Sequence, residues 1–258
     1  MSDDVAGISG GSTVKGDTRA RFLRKAAFGG VSLAGAGALL GSGAGIASAA
    51  TDDGVSDVDV LNFALTLEYL EASYYVQALG TGSTPLPPGV AATPRRFTNG
   101  QITGAKQLQS LGNVRAGAYR YLRQIRDHEV AHVAFLQGAL GAAAVPACTF
   151  DFSAPLDEVD TFLATALVLE NTGVMAYDGA IRYIETPDNL QAGAQIATIE
   201  ARHASYLGTL NHAAPWPGPF DMGKKPSEIV AAVLATGLVV SCPQPVLDLF
   251  AKFAAAGA

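Results

Sequence analysis

Two glutamate–histidine pairs are the residues of this chain best suited to chemistry. Glu129 and His132 open the run EVAHVAFLQGAL, and Glu200 and His203 open EARHASYLGTL. Both runs fit Glu-x-x-His-x-x-(Phe/Tyr)-Leu, and they use two of only four histidines in the 258 residues. On a helix, positions i and i+3 lie on nearly one face, about one turn apart. Each pair therefore offers a carboxylate and an imidazole to the same point, which suits a transition metal held between helices. The alternative is a pair of polar residues on a solvated face. The flanking Val130, Val133, Phe135, Leu136 and Leu207 argue instead for partial burial.

Each pair has an upstream partner. Ala64-Leu65-Thr66-Leu67-Glu68 recurs as Ala166-Leu167-Val168-Leu169-Glu170, and a tyrosine follows each glutamate by seven residues, at Tyr75 and Tyr177. The order Glu, Glu-x-x-His, Glu, Glu-x-x-His is an internal repeat of a helical hairpin. The two tyrosines belong to the same faces as Glu68 and Glu170, either as hydrogen-bond partners of the ligands or as ordinary core aromatics. Glu71 could share the face of Glu68, but its repeat position is Gly173, which makes it the weaker candidate. His128 points roughly 100° away from Glu129 and His212 stands at a helix end, so both are expected to be structural or exposed.

Four long helices must position these residues. Asp57 to Leu79 is the first, with apolar Leu61, Leu65, Tyr75 and Leu79 at helical spacing and Ser56 or Asp57 as cap. Residues 80–104, rich in proline and glycine, form an irregular connector. Asn113 to Leu140 is the second helix, ended by Gly141 and Pro146. Asp157 to Ile184 and Asp188 to Asn211 are the third and fourth, joined by a tight turn at Thr186-Pro187-Asp188. The connector at 141–156 is long enough, at roughly 50 Å extended, to run the roughly 38 Å length of a 25-residue helix. The second and third helices can then be parallel. After the rigid segment PWPGPF at Pro215 to Phe220, a fifth helix is expected over Ser227 to Val240, with a short one over Pro245 to Phe253. No strand is expected.

Bulk properties narrow the function. The formal net charge is −6. Residues 1–49 hold five of the 17 basic and three of the 23 acidic residues, leaving 12 and 20, a net −8. That balance, with no basic stripe, excludes nucleic acid as a partner and disfavours anionic membranes. Residues 1–49 are expected to be an export signal: Arg19, Arg21, Arg24 and Lys25, then an apolar Gly/Ala-rich stretch, then the small residues Ala47-Ser48-Ala49. Its Thr18-Arg19-Ala20-Arg21-Phe22-Leu23 resembles a twin-arginine signal, with Ala20 standing where the second arginine belongs. The mature domain is then residues 50–258, periplasmic, in the cell wall or secreted, with no stable membrane insertion after cleavage. Cys148 and Cys242 agree with export if they pair, although two buried thiols fit the spacing equally.

Placed face to face, the two repeats bring together Glu68, Glu129, His132, Glu170, Glu200 and His203, as in dimetal carboxylate bundles. Two divalent ions would balance four carboxylates. On these residues the chain resembles the ferritin-like superfamily, and within it exported bacterial ferritin-like domain proteins, which include relatives of plant desiccation-related proteins. The resemblance covers roughly residues 57–213. It implies an all-α ferritin-like four-helix bundle with one long crossover and one or two extra C-terminal helices. It also implies two iron or manganese ions, with Glu68 and Glu170 as lone ligands, Glu129 and Glu200 bridging, and His132 and His203 completing the set. The expected chemistry is oxidation of ferrous iron, peroxide reduction or catalase activity, so oxygen, peroxide or ferrous iron are the expected small substrates. The alternative is a non-catalytic structural or stress-protective bundle that binds metal for stability. With two cysteines there is no four-cysteine electron relay, and the long insert is unlike a ferritin shell subunit, though the pattern is compatible with oligomers.

Overall fold

The computed structural model describes residues 54–258; the expected export signal and its boundary lie outside the described residues. The elements run α1 (Asp57–Leu79), α2 (Asn99–Gly104), a 3-10 helix (Lys106–Leu111), α3 (Asn113–Leu140), β1 (Thr149–Phe150), α4 (Val159–Ala180), α5 (Pro187–Leu210), α6 (Pro226–Ala235), β2 (Val239–Ser241) and α7 (Gln244–Ala256). The fold is all-α in its bulk, with α1, α3, α4 and α5 as the bundle. Among the described residues no helix is long and apolar enough to cross a membrane.

Helix ends follow local chemistry. Ser56 caps α1 reciprocally: its hydroxyl accepts from the Asp59 N–H at 3.3 Å while the Asp59 carboxylate accepts from the Ser56 N–H at 2.8 Å. Gly80 at φ +77° stops α1 and Gly141 at φ +55° stops α3. Pro187 begins α5 at the position where its missing N–H costs nothing. α1 is buried along nearly its whole length because α3, α4 and α7 all pack on it.

Cross-helix hydrogen bonds set the directions. Asn62, near the start of α1, donates to the Ala143 carbonyl at 3.0 Å and accepts from the Val145 N–H at 2.8 Å, just beyond α3, so α1 and α3 are antiparallel. Tyr74, near the end of α1, donates to the Phe162 carbonyl at the start of α4 at 2.9 Å, so α1 and α4 are antiparallel too. α3 and α4 are therefore parallel, and the connector between them is a crossover along the bundle. Asn211 at the end of α5 donates to the Leu163 carbonyl at 2.9 Å, which makes α4 and α5 an antiparallel hairpin.

The crossover carries structure that sequence periodicity does not show. β1 pairs antiparallel with β2 across an irregular register, and Cys148 and Cys242 form a disulfide beside that pairing. The expectation of no strand is corrected: Gly237 at φ +72° ends the expected fifth helix early, and Val239–Ser241 extend to meet the crossover. These segments are two and three residues long, too short for an alternation to register. Closing a span of 94 residues, the disulfide stabilises the fold by about 4–5 kcal/mol in chain-entropy terms. α7 then lies on α1, with Phe253 edge-on to Phe63 at 5.4 Å and Lys252 paired to Asp59 at 2.6 Å. The connector expected to be irregular through residue 104 contains α2, capped by Thr98.

Asp57 fastens the two hairpins. Its carboxylate accepts from the Glu185 N–H at 2.9 Å, the Thr186 N–H at 3.1 Å and the Asn189 side chain at 2.9 Å, so the first residue of α1 holds the turn that leads into α5. Burial alone would raise this carboxyl, but the three hydrogen bonds outweigh it and hold it below the ordinary value of 3.8. Asp57→Ala is expected to cost roughly 2–3 kcal/mol, read by urea denaturation near neutral pH. A depressed folded-state value means this contribution is present above about pH 4 and lost as pH falls through it. The gap between wild type and variant should therefore narrow on acidification; a constant gap would contradict the assignment.

Candidate metal centre

Every one of the four bundle helices brings a glutamate to the same buried place. Glu68 comes from α1, Glu129 from α3, Glu170 from α4 and Glu200 from α5, and all four are fully buried. The i+3 spacing then adds His132 beside Glu129 and His203 beside Glu200. His132 Nδ1 lies 3.2 Å from Glu68 Oε2, 3.2 Å from Glu129 Oε2 and 3.2 Å from Glu200 Oε1. His203 Nδ1 lies 2.9 Å from Glu129 Oε1 and 3.0 Å from Glu170 Oε2. The six side chains predicted from the repeat are thus brought together.

The donors fall into two groups able to hold a cation: Glu68, Glu129, His132 and Glu200, and Glu129, Glu170, Glu200 and His203. Within each group the donor atoms lie within 4.8 Å of one another, and Glu129 and Glu200 belong to both. Such spacing approaches that of ligands on one ion with bonds of about 2.0–2.2 Å. The oxygen Oε2 of Glu200 and Oε2 of Glu71 are buried without a hydrogen-bond partner. A fully buried carboxylate with an idle oxygen is costly unless a cation takes it up. The donor set, hard oxygens with two imidazoles and no thiolate, fits a divalent transition ion.

The tyrosines cross between the halves. Tyr75 of α1 donates to Glu170 Oε1 of α4 at 2.5 Å, and Tyr177 of α4 donates to Glu68 Oε1 of α1 at 2.5 Å. Each repeat orients the lone glutamate of the other, which resolves the two readings of these residues in favour of hydrogen-bond partners. The antiparallel packing of α1 and α4 requires this: each tyrosine stands two turns from its own glutamate and level with the other one.

Two residues stand differently from expectation. His128, expected to be structural or exposed, is half-buried, and its Nδ1 lies 2.9 Å from Nε2 of His203, the two rings 21° from parallel with centroids 5.1 Å apart. Helical geometry does turn it off the Glu129 face, but α5 packs beside α3 and presents His203 to that flank. Glu71, the weaker candidate, is buried and faces the cluster opposite Gly173. His212 does lie at a helix end, exposed, against the Gln107 carbonyl at 2.7 Å.

Without a metal, protons must do the neutralising. Burial lifts Glu68 to about 7 although His132 pulls it down, and burial with repulsion from Glu129 lifts Glu200 well above the ordinary 4.5. Burial works against a charge on His203, but Glu170 and Glu129 overcome it and raise the imidazole to about 11. For Glu129 the pull of His132 and His203 outweighs burial, so it is lowered.

A family model described as the ferritin-like domain matches residues 56–213. That span runs from the cap of α1 past the end of α5 and contains every residue of the cluster. The chain therefore belongs to the ferritin-like domain family. No curated protein matches it.

Two outcomes follow for the centre. Tyr75→Phe should weaken binding of Mn(II) by about tenfold or more, measured by competition with a chelator; a loss of thermal stability with unchanged affinity would instead make Tyr75 a packing residue only. Carboxyls and imidazoles whose folded-state values are raised stabilise the fold at low pH and cease to as pH rises. For Glu68 the window runs from 4.5 to about 7 and for His203 from 6.5 to about 11. The melting temperature of chelator-treated protein should fall as pH rises through these windows, while Mn(II)-loaded protein should hold its value.

Proposed function

We propose that this chain is an exported dimetal-carboxylate protein that carries out oxidative chemistry on dioxygen, peroxide or ferrous iron. The observation that carries the reading is the pair of donor groups sharing Glu129 and Glu200. Glu129 and Glu200 would bridge two ions. Glu68 and His132 would complete one position and Glu170 and His203 the other. Two divalent cations balance these four carboxylates, which offsets the penalty of burying them. Carboxylate and imidazole donors suit iron or manganese. Bound there, either metal would supply one-electron redox chemistry toward oxygen or peroxide.

The chain's own residues restrict that chemistry. Tyr75 and Tyr177 hold the two outer carboxylates in place through short hydrogen bonds. The most exposed of the six proposed ligand side chains is His132, at 12%, so substrates reaching the centre must be small. Val130, Val133, Leu65 and Leu169 surround the ligand turns with buried apolar side chains and exclude water. The Cys148–Cys242 disulfide supports an oxidising compartment, in line with the expected signal.

The purified protein is expected to hold about two iron or manganese ions per chain, read by elemental analysis. Glu129→Ala should lose most of both, since Glu129 serves both positions. A catalyst should consume ferrous iron or peroxide through many equivalents per site. Oxidation that stops at the stoichiometric amount would replace the catalytic reading with a structural or protective one, and metal-free protein that cannot be loaded would end both.

A further inference from the structure

The two halves of the cluster are not equivalent, and both departures from the repeat concern its His203 side. On α1, Glu71 lies on the same face as Glu68 and Tyr75. It is 3% exposed, and its Oε2 has no hydrogen-bond partner. Its repeat equivalent is Gly173, and a Cβ on that glycine would stand 3.2 Å from Glu71 Oε1 and 3.0 Å from Glu200 Oε2. The missing side chain is therefore the space into which Glu71 reaches, next to a carboxylate common to both donor groups. Tyr75, one turn further along α1, meets Glu170, so Glu71 stands on the Glu170 side of Glu68. The second departure is His128, whose repeat equivalent is Ile199. With His203 Nδ1 turned to the carboxylates, Nε2–H donates to His128 Nδ1 at 2.9 Å and fixes the ring. Ile199 can do nothing comparable for His132.

We infer that Glu71 is a seventh ligand, serving the ion held by Glu170 and His203, and that this position binds a divalent cation first and more tightly than the Glu68/His132 position. The inference rests on the two-ion reading above. It adds a ligand, an order of filling and a reason for both breaks in the repeat. A fifth carboxylate raises the negative charge around one ion, and an imidazole pre-set by His128 loses less freedom on binding.

The test is a titration of metal-free, full-length protein with Mn(II), followed by calorimetry and by electron paramagnetic resonance. Wild type should show two steps separated by about tenfold or more, with the six-line signal of an isolated ion at one equivalent and an exchange-coupled signal at two. Glu71→Ala should weaken the first step until the two merge, so that the coupled signal grows from the start; Glu71→Gln, which keeps the volume, should do the same. His203→Ala should remove the tight step and His132→Ala the weak one. Two indistinguishable steps in wild type, or two unchanged steps in both Glu71 variants, would overturn this inference and leave the two-ion reading intact. Failure of wild type to bind more than one Mn(II) would overturn both.

Discussion

Charge compensation in a buried interior is the constraint on which this molecule turns. Five glutamates and two histidines occupy the middle of a bundle otherwise made of leucine, valine, alanine and aromatic side chains. The hydrogen bonds the protein makes here do not satisfy all of these acids: oxygens of Glu71 and Glu200 remain idle. Either protons or cations must supply the missing positive charge. Burial raises Glu68 and Glu200, and neighbouring carboxylates raise His203, which favours their protonated forms where protons supply it. An interior of this kind costs stability, and a metal ion is the counter-charge that its geometry suits.

The surrounding fold can be understood as support for that interior. Two helical hairpins, each with its lone glutamate and its Glu-x-x-His pair, face one another so that their acids meet. Tyr75 and Tyr177 tie each hairpin to the carboxylate of the other, and Asp57 ties the start of α1 to the turn before α5. These contacts link elements about a hundred residues apart, so neither hairpin completes the cluster by itself. The crossover between them is anchored by the disulfide and by the short ladder with β2, and α7 covers the remaining side of α1. α1 thereby becomes a central helix, which explains why a helix carrying two of the five acids is apolar almost all round.

Much of this was readable from spacing. Periodicity placed the four long helices within a few residues of their observed ends, since capping by Ser56, Gly80, Gly141 and Pro187 is local chemistry. The six clustered side chains were readable because a repeated motif carries information that one copy lacks. What escaped has a common cause. His128 is turned about 100° of helical rotation from Glu129 and meets His203 only because α5 lies against that flank of α3. Glu71 was marked only as the weaker candidate, by the face it shares with Glu68, because it has no repeat mate, and the significance of Gly173 is a matter of empty space opposite. The β1–β2 ladder depends on two segments some ninety residues apart, each too short for an alternation to register.

Helix type, helix order and the identity of the six clustered side chains were determined by the amino-acid sequence itself, because i to i+3 geometry and capping act over a few residues. The pairing of Cys148 with Cys242, the exchange of tyrosines between hairpins and the inequality of the two sides of the cluster were decided only by tertiary structure. Those features depend on distances between separate helices and segments, and packing, not local backbone geometry, sets such distances.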